Sequence, residues 1–318
     1  MRTAVPMTVL ATALICSLAT APANARARTF VASYGNDSNP CTFGSPCKTF
    51  QVAVNAADPG GEVTAIDSAG FGPITINKAV TITSPEGVEA GIVPAAGGAA
   101  ITVNAGSSDV VFLRGLTLEG ASIANLGIVY NAGGGLSIIN CVVKDFLSDG
   151  IRFLPSSSTS FDFVIKDTLV SDNKGVGIGF EVVTNATANG VIDHVVATHN
   201  QNGISIDLAG ASNAAATVAI SNSIANNNGG GGITAEIGSL PNTLTLSIDN
   251  VEVTGNATGI VMFDAPKVIL GRSVITGNGL GILNQTSPNT FYTYGNNQIN
   301  LNPNGDISAA LNTTFKPQ

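Results

Sequence analysis

The chain has 318 residues, of which 44% are hydrophobic, 11% are charged and none is tryptophan. This sparse charge, together with 37 glycines, argues against a helical protein, because helices are rich in Glu, Lys, Ala and Leu whereas Gly favours turns. The net charge of -8 argues against nucleic acid as a partner, since binding to polyphosphate needs a basic surface.

The first 27 residues have the pattern of a secretory signal peptide. Arg2 gives a positive start, an apolar run follows from Met7 to Leu18, and Ala23-Asn24-Ala25 or Ala25-Arg26-Ala27 provides a small-residue cleavage site. The apolar run is short for a membrane span, and no later stretch is long enough. We therefore expect a secreted or periplasmic protein with no membrane span after the signal is removed.

Residues 28–62 are predicted to form an N-terminal cap. Cys41 and Cys47 are close in sequence and flanked by turn residues, and disulfides persist in the oxidising compartment that export reaches. We therefore predict a local disulfide between these two residues. Cys141 is then left over and is interpreted as a small buried hydrophobe.

A short amphipathic helix is predicted within this cap. The segment KTFQVAVNAA places apolar side chains at helical spacing, at Phe50, Val54 and Ala57. A stack of strands exposes unpaired edges and apolar core at its end, and a helix at this point would cover them.

Residues 63–312 are organised as a repeat of strands and turns. A Gly-Ile pair follows Asn-containing turns, and subtracting successive isoleucine numbers gives 23, 27, 26, 29, 27 and 22 for Ile128, Ile151, Ile178, Ile204, Ile233, Ile260 and Ile282. Short strands at this period cannot bury a face alone, so equivalent strands must stack in parallel. Asn suits the turns, because its amide can bond to its neighbours above and below. The sequence predicts an all-β, single-stranded right-handed parallel β-helix, with residues 313–318 as a tail.

The Asn-x-x-Gly-Ile repeats resemble those of the pectin-lyase-like superfamily of secreted β-helix proteins. The segment NPCTFGSPCKTFQVAV is similar to the opening of a bacterial exported group without assigned activity. The resemblance implies polysaccharide lyases, hydrolases, esterases or adhesins as function classes, and the fold alone does not choose among them. The polygalacturonase strings Asn-Thr-Asp, Asp-Asp, Gly-His-Gly and Arg-Ile-Lys do not occur in this sequence.

Three acidic residues are predicted to line up on one outward-facing column. Glu181, Asp207 and Glu236 each lie three residues past the isoleucine of their repeat. Because that isoleucine points inward, strand alternation turns the acids outward. The other repeats place these residues in the column: Asn131, Leu154, Phe263 and Gln285. Like charges on neighbouring strands destabilise a sheet, so the column needs an explanation.

Three explanations of the column remain open. The acids are solvated surface charges whose repulsion is screened, or they form a groove that binds carbohydrate or a cation. A hypothetical calcium ion would be held by Glu181, Asp207 and Glu236. The third explanation is catalysis, since stacked carboxylates push one pKa upward and leave the neighbour ionised. Arg152, on the coil before Glu181, is either an ion-pair partner or the base of a cation-assisted lyase.

Long loops and a histidine complete the candidate features. Loops that could wall one side of a cleft are predicted beyond the acidic strands, at SSSTS (156–160), TNATANG (184–190), AGASNAA (209–215) and GSLPNT (238–243). At the first turn of its repeat, His194 is aligned with Cys141, Thr168 and Ser223 and is interpreted as a ladder residue.

These patterns favour an exported, monomeric, single-domain protein that binds an extended polysaccharide or cell-surface glycan along the acidic face. If it is an enzyme, we expect a polysaccharide lyase or a glycoside hydrolase. Calcium is the one cofactor that the residues suggest, and the catalytic candidates are Asp207, Glu181, Glu236 and Arg152. The alternative is a non-enzymatic adhesin or structural surface protein. The absence of Trp favours this alternative, because aromatic rings are common partners at binding surfaces.

Overall fold

The fold is seen in a computed structural model that describes residues 27–155, 159–181, 184–239, 241–286 and 290–312. The predicted signal peptide, apart from its last residue Ala27, and the predicted tail of residues 313–318 lie outside the described residues. Within those ranges, no helix has the length and apolarity needed to cross a membrane.

The described residues form thirty strands and one helix. In chain order, the elements are β1 (Arg28–Val31), α1 (Phe50–Ala56), β2 (Gly61–Ala65), β3 (Ala69–Gly70), β4 (Ile74–Ile76), β5 (Val80–Thr83), β6 (Ala90–Ile92), β7 (Ala99–Asn104), β8 (Val110–Arg114), β9 (Leu116–Glu119), β10 (Leu126–Ala132), β11 (Gly135–Ile139), β12 (Val142–Lys144), β13 (Ile151–Phe153), β14 (Ser160–Lys166), β15 (Leu169–Ser171), β16 (Val176–Glu181), β17 (Thr187–Asp193), β18 (Val196–Thr198), β19 (Asn202–Asp207), β20 (Ala215–Ser221), β21 (Ile224–Asn226), β22 (Gly231–Glu236), β23 (Thr243–Asp249), β24 (Glu252–Thr254), β25 (Thr258–Asp264), β26 (Lys267–Gly271), β27 (Val274–Thr276), β28 (Leu280–Thr286), β29 (Phe291–Thr293) and β30 (Gln298–Asn300).

Successive strands fall on three sheets in turn, so each full coil of the chain adds one strand to each sheet. The first face contains β1, β2, β5, β8, β11, β14, β17, β20, β23, β26 and β29. The second face contains β3, β6, β9, β12, β15, β18, β21, β24, β27 and β30, and the third face contains β4, β7, β10, β13, β16, β19, β22, β25 and β28. Neighbouring strands pair in parallel on all three faces. Since parallel crossovers are right-handed in nearly all proteins, the predicted right-handed parallel β-helix is confirmed.

The interior is filled by alternate side chains of all three faces. On the third face the repeat isoleucines, from Ile128 to Ile282, expose at most 1% of their surface. Near the middle of the stack, the rings of Phe153 and Phe180 lie 4.3 Å apart and those of Phe163 and Phe180 lie 4.4 Å apart. Burial of a side chain of this kind stabilises a protein by about 1.5–3 kcal/mol. Stacking of the coils therefore stabilises strands that are too short to stand alone.

A ladder of buried asparagines runs along the turn between the second and third faces. It consists of Asn173, Asn200, Asn228, Asn256, Asn278 and Asn302. From each coil to the next, the backbone N–H of one asparagine donates to the side-chain oxygen of the following one at 3.0–3.2 Å. The side-chain amides donate along the same direction. The prediction that Asn amides bond between coils is confirmed.

The glycine of the repeat pair is needed because it packs against this ladder. A Cβ on Gly203 would lie 2.9 Å from Asn228 Nδ2 and 2.5 Å from the carbonyl oxygen of Gly232. Non-bonded carbon atoms normally stay about 3.5–4.0 Å apart. The Asn-x-x-Gly-Ile pattern therefore combines a ladder amide, the close approach that it requires and a core isoleucine.

The N-terminal end contains the predicted disulfide, between Cys41 and Cys47. The first face begins within the segment predicted as a cap, because β1 pairs with β2 across the disulfide-containing loop and the helix. Cys141 is buried, and burial raises the pKa of its thiol to about 11. This agrees with its interpretation as a small buried hydrophobe.

The predicted helix is also present at this end. It begins after Thr49, whose hydroxyl accepts the Val52 backbone N–H as an N-cap. Its inner side buries Phe50, Ala53 and Val54, and the Phe50 ring lies 5.0 Å from that of Phe71. The helix packs its apolar side on the first coils, as expected for an end cap.

At the turn between the first and second faces, the predicted alignment of His194 is wrong. Ile165, Ile192 and Ile220 pair with one another on the first face. His194, two residues past its isoleucine, therefore lies level with Asp167 and Asn222 and not with Cys141, Thr168 and Ser223. The buried isoleucines decide the register, because a slip of one residue would turn them into solvent.

Candidate functional site

The three acids lie on the third face, at the ends of β16, β19 and β22. Glu181 pairs with Asp207, and Asp207 pairs with Glu236, as the repeat spacing predicts. Their partners further along are Phe263 and Gln285. We call Arg152, Glu181, Asp207 and Glu236 the acidic strip. Paired strands lie about 4.8 Å apart, so the strip presents charged groups at regular steps along the axis.

The column does not continue unchanged towards the N-terminus. Asn131 falls at an irregularity of the β10 pairing, between Tyr130 and Ala132. Leu154 lies one residue beyond the end of β13. The acids therefore begin where the third face becomes regular.

Arg152 forms the N-terminal end of the strip by pairing with two carboxylates. Its backbone pairs with Gly179, which has no side chain in the way. The guanidinium therefore extends across the strand, where Nη2 donates to Glu181 Oε2 at 2.6 Å and Nη1 donates to Asp149 Oδ2 at 3.0 Å. Asp149 is held in turn, since its Oδ1 accepts the Val176 backbone N–H at 2.8 Å.

These ion pairs affect the titration of Arg152. Partial burial disfavours the cation, but hydrogen bonds and attraction from Glu181 and Asp149 outweigh it and raise the pKa of Arg152. The side chain of Asp149 is only 8% exposed, so Arg152 and the Val176 N–H are its partners in a nearly buried site. Arg152 is the ion-pair partner that the sequence allowed, and its guanidinium stays protonated.

Asp207 and Glu236 form the more closely coupled part of the strip. Asp207 Oδ1 accepts the backbone N–H of Ala209 at 2.7 Å, which fixes the carboxylate at the start of the following loop. Burial, followed by repulsion from Asp207 and Asp264, raises the pKa of Glu236. Two neighbouring carboxyl groups therefore differ in their environments.

Asp264 is a charged neighbour that the sequence pattern did not indicate. It lies one residue beyond the column position of Phe263 and has a left-handed backbone with φ of 62°. Its carboxylate accepts the Gly238 N–H at 2.8 Å, from the loop after Glu236. Counting by strand alternation missed it, because alternation ends where the backbone turns.

Loops follow the strip on consecutive coils, where the chain passes from the third face to the first face. Their described residues are 154–155, 159, 184–186, 208–214, 237–239 and 241–242, so the predicted loops SSSTS and GSLPNT lie partly outside the described residues. The predicted loop TNATANG was too long, because Thr187 already begins β17 and the chain alternates from there. Asn242 is 1% exposed and donates to the carbonyl oxygens of Leu208, Ala211 and Ile237. The loop after Asp207 and the loop after Glu236 are thereby packed on one another beside the strip.

The described residues contain no group of three or more His, Cys, Asp or Glu side chains arranged to hold a metal ion. Within the strip, Glu181 is turned towards Arg152 and Asp207 towards a backbone N–H. Calcium at Glu181, Asp207 and Glu236 therefore stays a prediction, and binding it would require Glu181 to leave Arg152.

Comparison with known proteins gives similarity in structure. No family model and no curated protein matches the sequence. Among solved structures, the chain is similar to pectate lyase Pel9A, with a TM-score of 0.49 and 16% identity over 86% of this chain and 70% of the lyase. It is also similar to the A-module of the Azotobacter vinelandii mannuronan C-5 epimerase AlgE6, with a TM-score of 0.44 and 15% identity over 84% of this chain and 94% of the module.

A rhamnogalacturonan lyase is similar as well, with a TM-score of 0.34 and 10% identity over 77% of this chain and 82% of the lyase. The chain is thus similar in fold to these three solved structures. At these identities the likeness concerns the fold alone, so no activity or substrate is carried over from these proteins.

Proposed function

We propose that the protein is exported and binds an extended polysaccharide along the acidic strip. The observation that carries this proposal is the register of Glu181, Asp207 and Glu236 on consecutive coils, with Arg152 before them. A polymer that lies along the axis can contact every step of such a row, whereas a small molecule contacts one or two. The disulfide between Cys41 and Cys47 supports export, because such bonds persist in oxidising compartments.

Preorganisation of the strip also supports binding. Arg152 is held by Asp149 and Glu181, and Asp207 is held by a backbone N–H. Side chains that are already ordered lose less conformational entropy when a ligand binds. The loops packed beside the strip supply a wall from which further contacts can be made.

The test is the affinity of the mature protein for a panel of neutral, acidic and amino-sugar polysaccharides, measured by affinity electrophoresis and calorimetry. The variant Asp207→Asn removes the central charge of the strip, and Asp167→Asn removes an exposed acid from the turn between the first and second faces as a matched control. We expect at least one polysaccharide to bind, and Asp207→Asn to weaken that binding while Asp167→Asn leaves it unchanged.

Equal binding by wild type and Asp207→Asn would show that the strip is not the site. Absence of binding to every polysaccharide would favour the alternative, a structural surface protein or an adhesin for another kind of partner. In that case the acids are solvated charges whose repulsion is screened.

Cleavage of the bound polysaccharide is a second candidate function. The observation that favours it is the pairing of Asp207 with Glu236 on neighbouring strands, where burial and nearby charge raise the pKa of Glu236. A carboxylic acid with a raised pKa beside a second carboxyl group is the arrangement used for acid–base cleavage of glycosides. Glu236 would donate its proton to the leaving oxygen as the glycosidic bond breaks, and the Asp207 carboxylate would activate the water that attacks the sugar carbon.

A lyase would use the same residues differently. The protonated guanidinium of Arg152 would neutralise a uronate carboxylate, with calcium adding to that role when bound. The Asp207 carboxylate would take the proton from the adjacent carbon, and water would protonate the leaving oxygen. Release of new reducing ends, assayed with calcium and with chelator, tests for cleavage, and ultraviolet absorbance of an unsaturated product distinguishes a lyase from a hydrolase. Cleavage that survives in both Asp207→Asn and Glu236→Gln would contradict this assignment.

A further inference from the structure

A second row of polar side chains lies at the corner between the first and second faces, where it lines a surface cavity of about 400 Å³. The row consists of His194, Asn222, Asn250 and Arg272, one residue from each of four consecutive coils. With about 4.8 Å between paired strands, the row extends over three such steps. The acidic strip does not contribute to this cavity.

The head groups of the row are held in place by neighbours. Asn222 Nδ2 donates to the Asp193 carboxylate at 2.8 Å, and Asn250 Nδ2 donates to Asn222 Oδ1 at 2.7 Å. At the far end, Arg272 forms a two-point pair with Asp249. Groups that are ordered in this way bind a ligand at a lower entropic cost than mobile surface side chains.

Asp193 also determines the tautomer of His194. The hydrogen bond from Asn222 is the first cause that lowers the pKa of Asp193, and His194, Ser221 and Lys166 add to it against desolvation. An ionised carboxylate only accepts hydrogen bonds, so the His194 Nδ1, 2.8 Å away, carries a proton. In the neutral ring, Nε2 is then an acceptor.

The backbone conformation at Arg272 is a further sign that its side chain has a binding role. All four residues of the row have left-handed φ values, from 49° to 53°. Asn and His are several-fold enriched in this conformation, whereas Arg is not. Strained backbone of this kind tends to occur at binding and functional sites. Asn would adopt this left-handed backbone at a lower energetic cost than Arg does, yet position 272 carries Arg.

The chemistry of the cavity fits a neutral sugar. Its rim offers the amide, imidazole and guanidinium groups of the row and the carboxylate of Glu252, while half-buried Ile224 and Val274 supply apolar surface. Charges are nearly balanced, because Lys166 and Arg272 are each paired with an aspartate. A pyranose ring has an apolar C–H face and a rim of hydroxyl groups that both donate and accept. We propose that this corner cavity is a second carbohydrate site, separate from the acidic strip, and that it binds a neutral sugar unit.

The variants His194→Asn and Arg272→Asn test the site with little risk to the fold. Both place Asn where neighbouring coils already carry Asn222 and Asn250 in the same backbone conformation. Asp167→Asn is the matched control, because Asp167 has φ of 51° in the same turn but does not line the cavity. Thermal melts of the three variants show whether each remains folded.

The probes are neutral gluco-, manno-, xylo- and galacto-hexaoses, with hexagalacturonate as an anionic comparison, and calorimetry or NMR titration gives the affinities. We expect a neutral hexaose to bind the wild type and its affinity to fall about threefold to tenfold in His194→Asn and Arg272→Asn. Asp167→Asn and the strip variant Asp207→Asn should bind it unchanged, which separates this site from the proposed function.

Three results would overturn the inference. They are no binding of any neutral hexaose at millimolar concentration, unchanged affinity in folded His194→Asn and Arg272→Asn, and loss of binding in Asp207→Asn alone. Tighter binding of hexagalacturonate than of every neutral hexaose at this corner would overturn the assignment to a neutral sugar.

Discussion

The asparagine ladder and the acidic strip are both columns with one residue per coil, but they differ in what the repetition does. In the ladder, each asparagine between the two ends both donates to one neighbouring asparagine and accepts from the other. In the strip, repetition places carboxylates beside carboxylates. Repetition therefore satisfies buried polar groups in the first column and creates repulsion in the second.

The fold favours asparagine at the ladder positions, whereas it tolerates several residue types at the strip positions. A buried amide without its partner costs stability, so ladder positions admit few other residue types. The strip positions are exposed or half-buried, and Phe263 and Gln285 occupy them equally well on later coils. Stability does not account for a column of charges at such positions, which is why we propose that the strip binds a ligand.

The largest effect is expected from breaking the ladder. Asn228→Ala removes the acceptor for Asn200 and the donors to Asn256 and to the Ala197 carbonyl, all in a buried site. We expect the free energy of unfolding to fall by about 2–4 kcal/mol, measured by denaturant titration. Asn189→Ala, on the exposed side of the first face, is the control and should change it by less than about 0.5 kcal/mol. Equal effects of the two variants would mean that the ladder bonds are not stabilising.

A smaller but still large effect is expected from crowding the ladder. The added methyl group in Gly203→Ala meets Asn228 and the Gly232 carbonyl at distances that require the coils to move apart. We expect a loss of about 1–3 kcal/mol in the same titration. Gly210→Ala, where nothing lies within 4 Å, is the matched control and should have little effect. A well-folded Gly203→Ala of normal stability would contradict the packing account of the repeat.

The third effect concerns the one strip residue with a buried partner. Arg152→Met leaves the carboxylate of Asp149, 8% exposed, without its cation. We expect a loss of about 1–2 kcal/mol in the free energy of unfolding. Arg28→Met breaks a pair with Glu62 in which both side chains are more exposed, and should cost less than about 1 kcal/mol. If both variants lose the same amount, Arg152 is an ordinary surface ion pair.

The sequence predicts columns best where a buried residue sets the register. Ile178, Ile204 and Ile233 are buried, and a slip of one residue would expose them, so counting from them places the acids correctly. Counting from Ile192 in the same way places His194 level with Asp167 and Asn222, one position away from the predicted alignment. Buried positions carry the register, whereas turn positions admit several residue types.

Contacts made where strand alternation ends were not predictable in the same way. Asp149 reaches Arg152 from the turn before β13, and Asp264 approaches Glu236 through a left-handed residue. Neither position repeats from coil to coil, so no pattern in the sequence indicates it. The fold was therefore predictable from the repeat, while the surroundings of the acids depend on local backbone geometry.

The smallest expected effect is a gain in stability from neutralising a strip acid. The pKa of Glu236 is raised above its ordinary value of 4.5, chiefly by burial and then by Asp207 and Asp264. The folded state thus binds the proton more tightly than the unfolded state. Its relative stabilisation is complete below the unfolded pKa and is lost as the pH rises through the raised folded pKa. Glu236→Gln should therefore be more stable than wild type at pH 7, by about 0.5 kcal/mol because the site is partly solvated.

The stability difference between Glu236→Gln and the wild type should depend on pH, and this tests whether the strip differs from the ladder. The gain should disappear when denaturant titrations are repeated near pH 3.5, and added salt should reduce its Coulombic part at pH 7. Glu252→Gln, on the second face, reports the general effect of removing an exposed acid. If Glu236→Gln is instead less stable than wild type at pH 7, the carboxylate makes a stabilising contact in the folded state. The strip would then resemble the ladder, and its charges would no longer need a ligand to explain them.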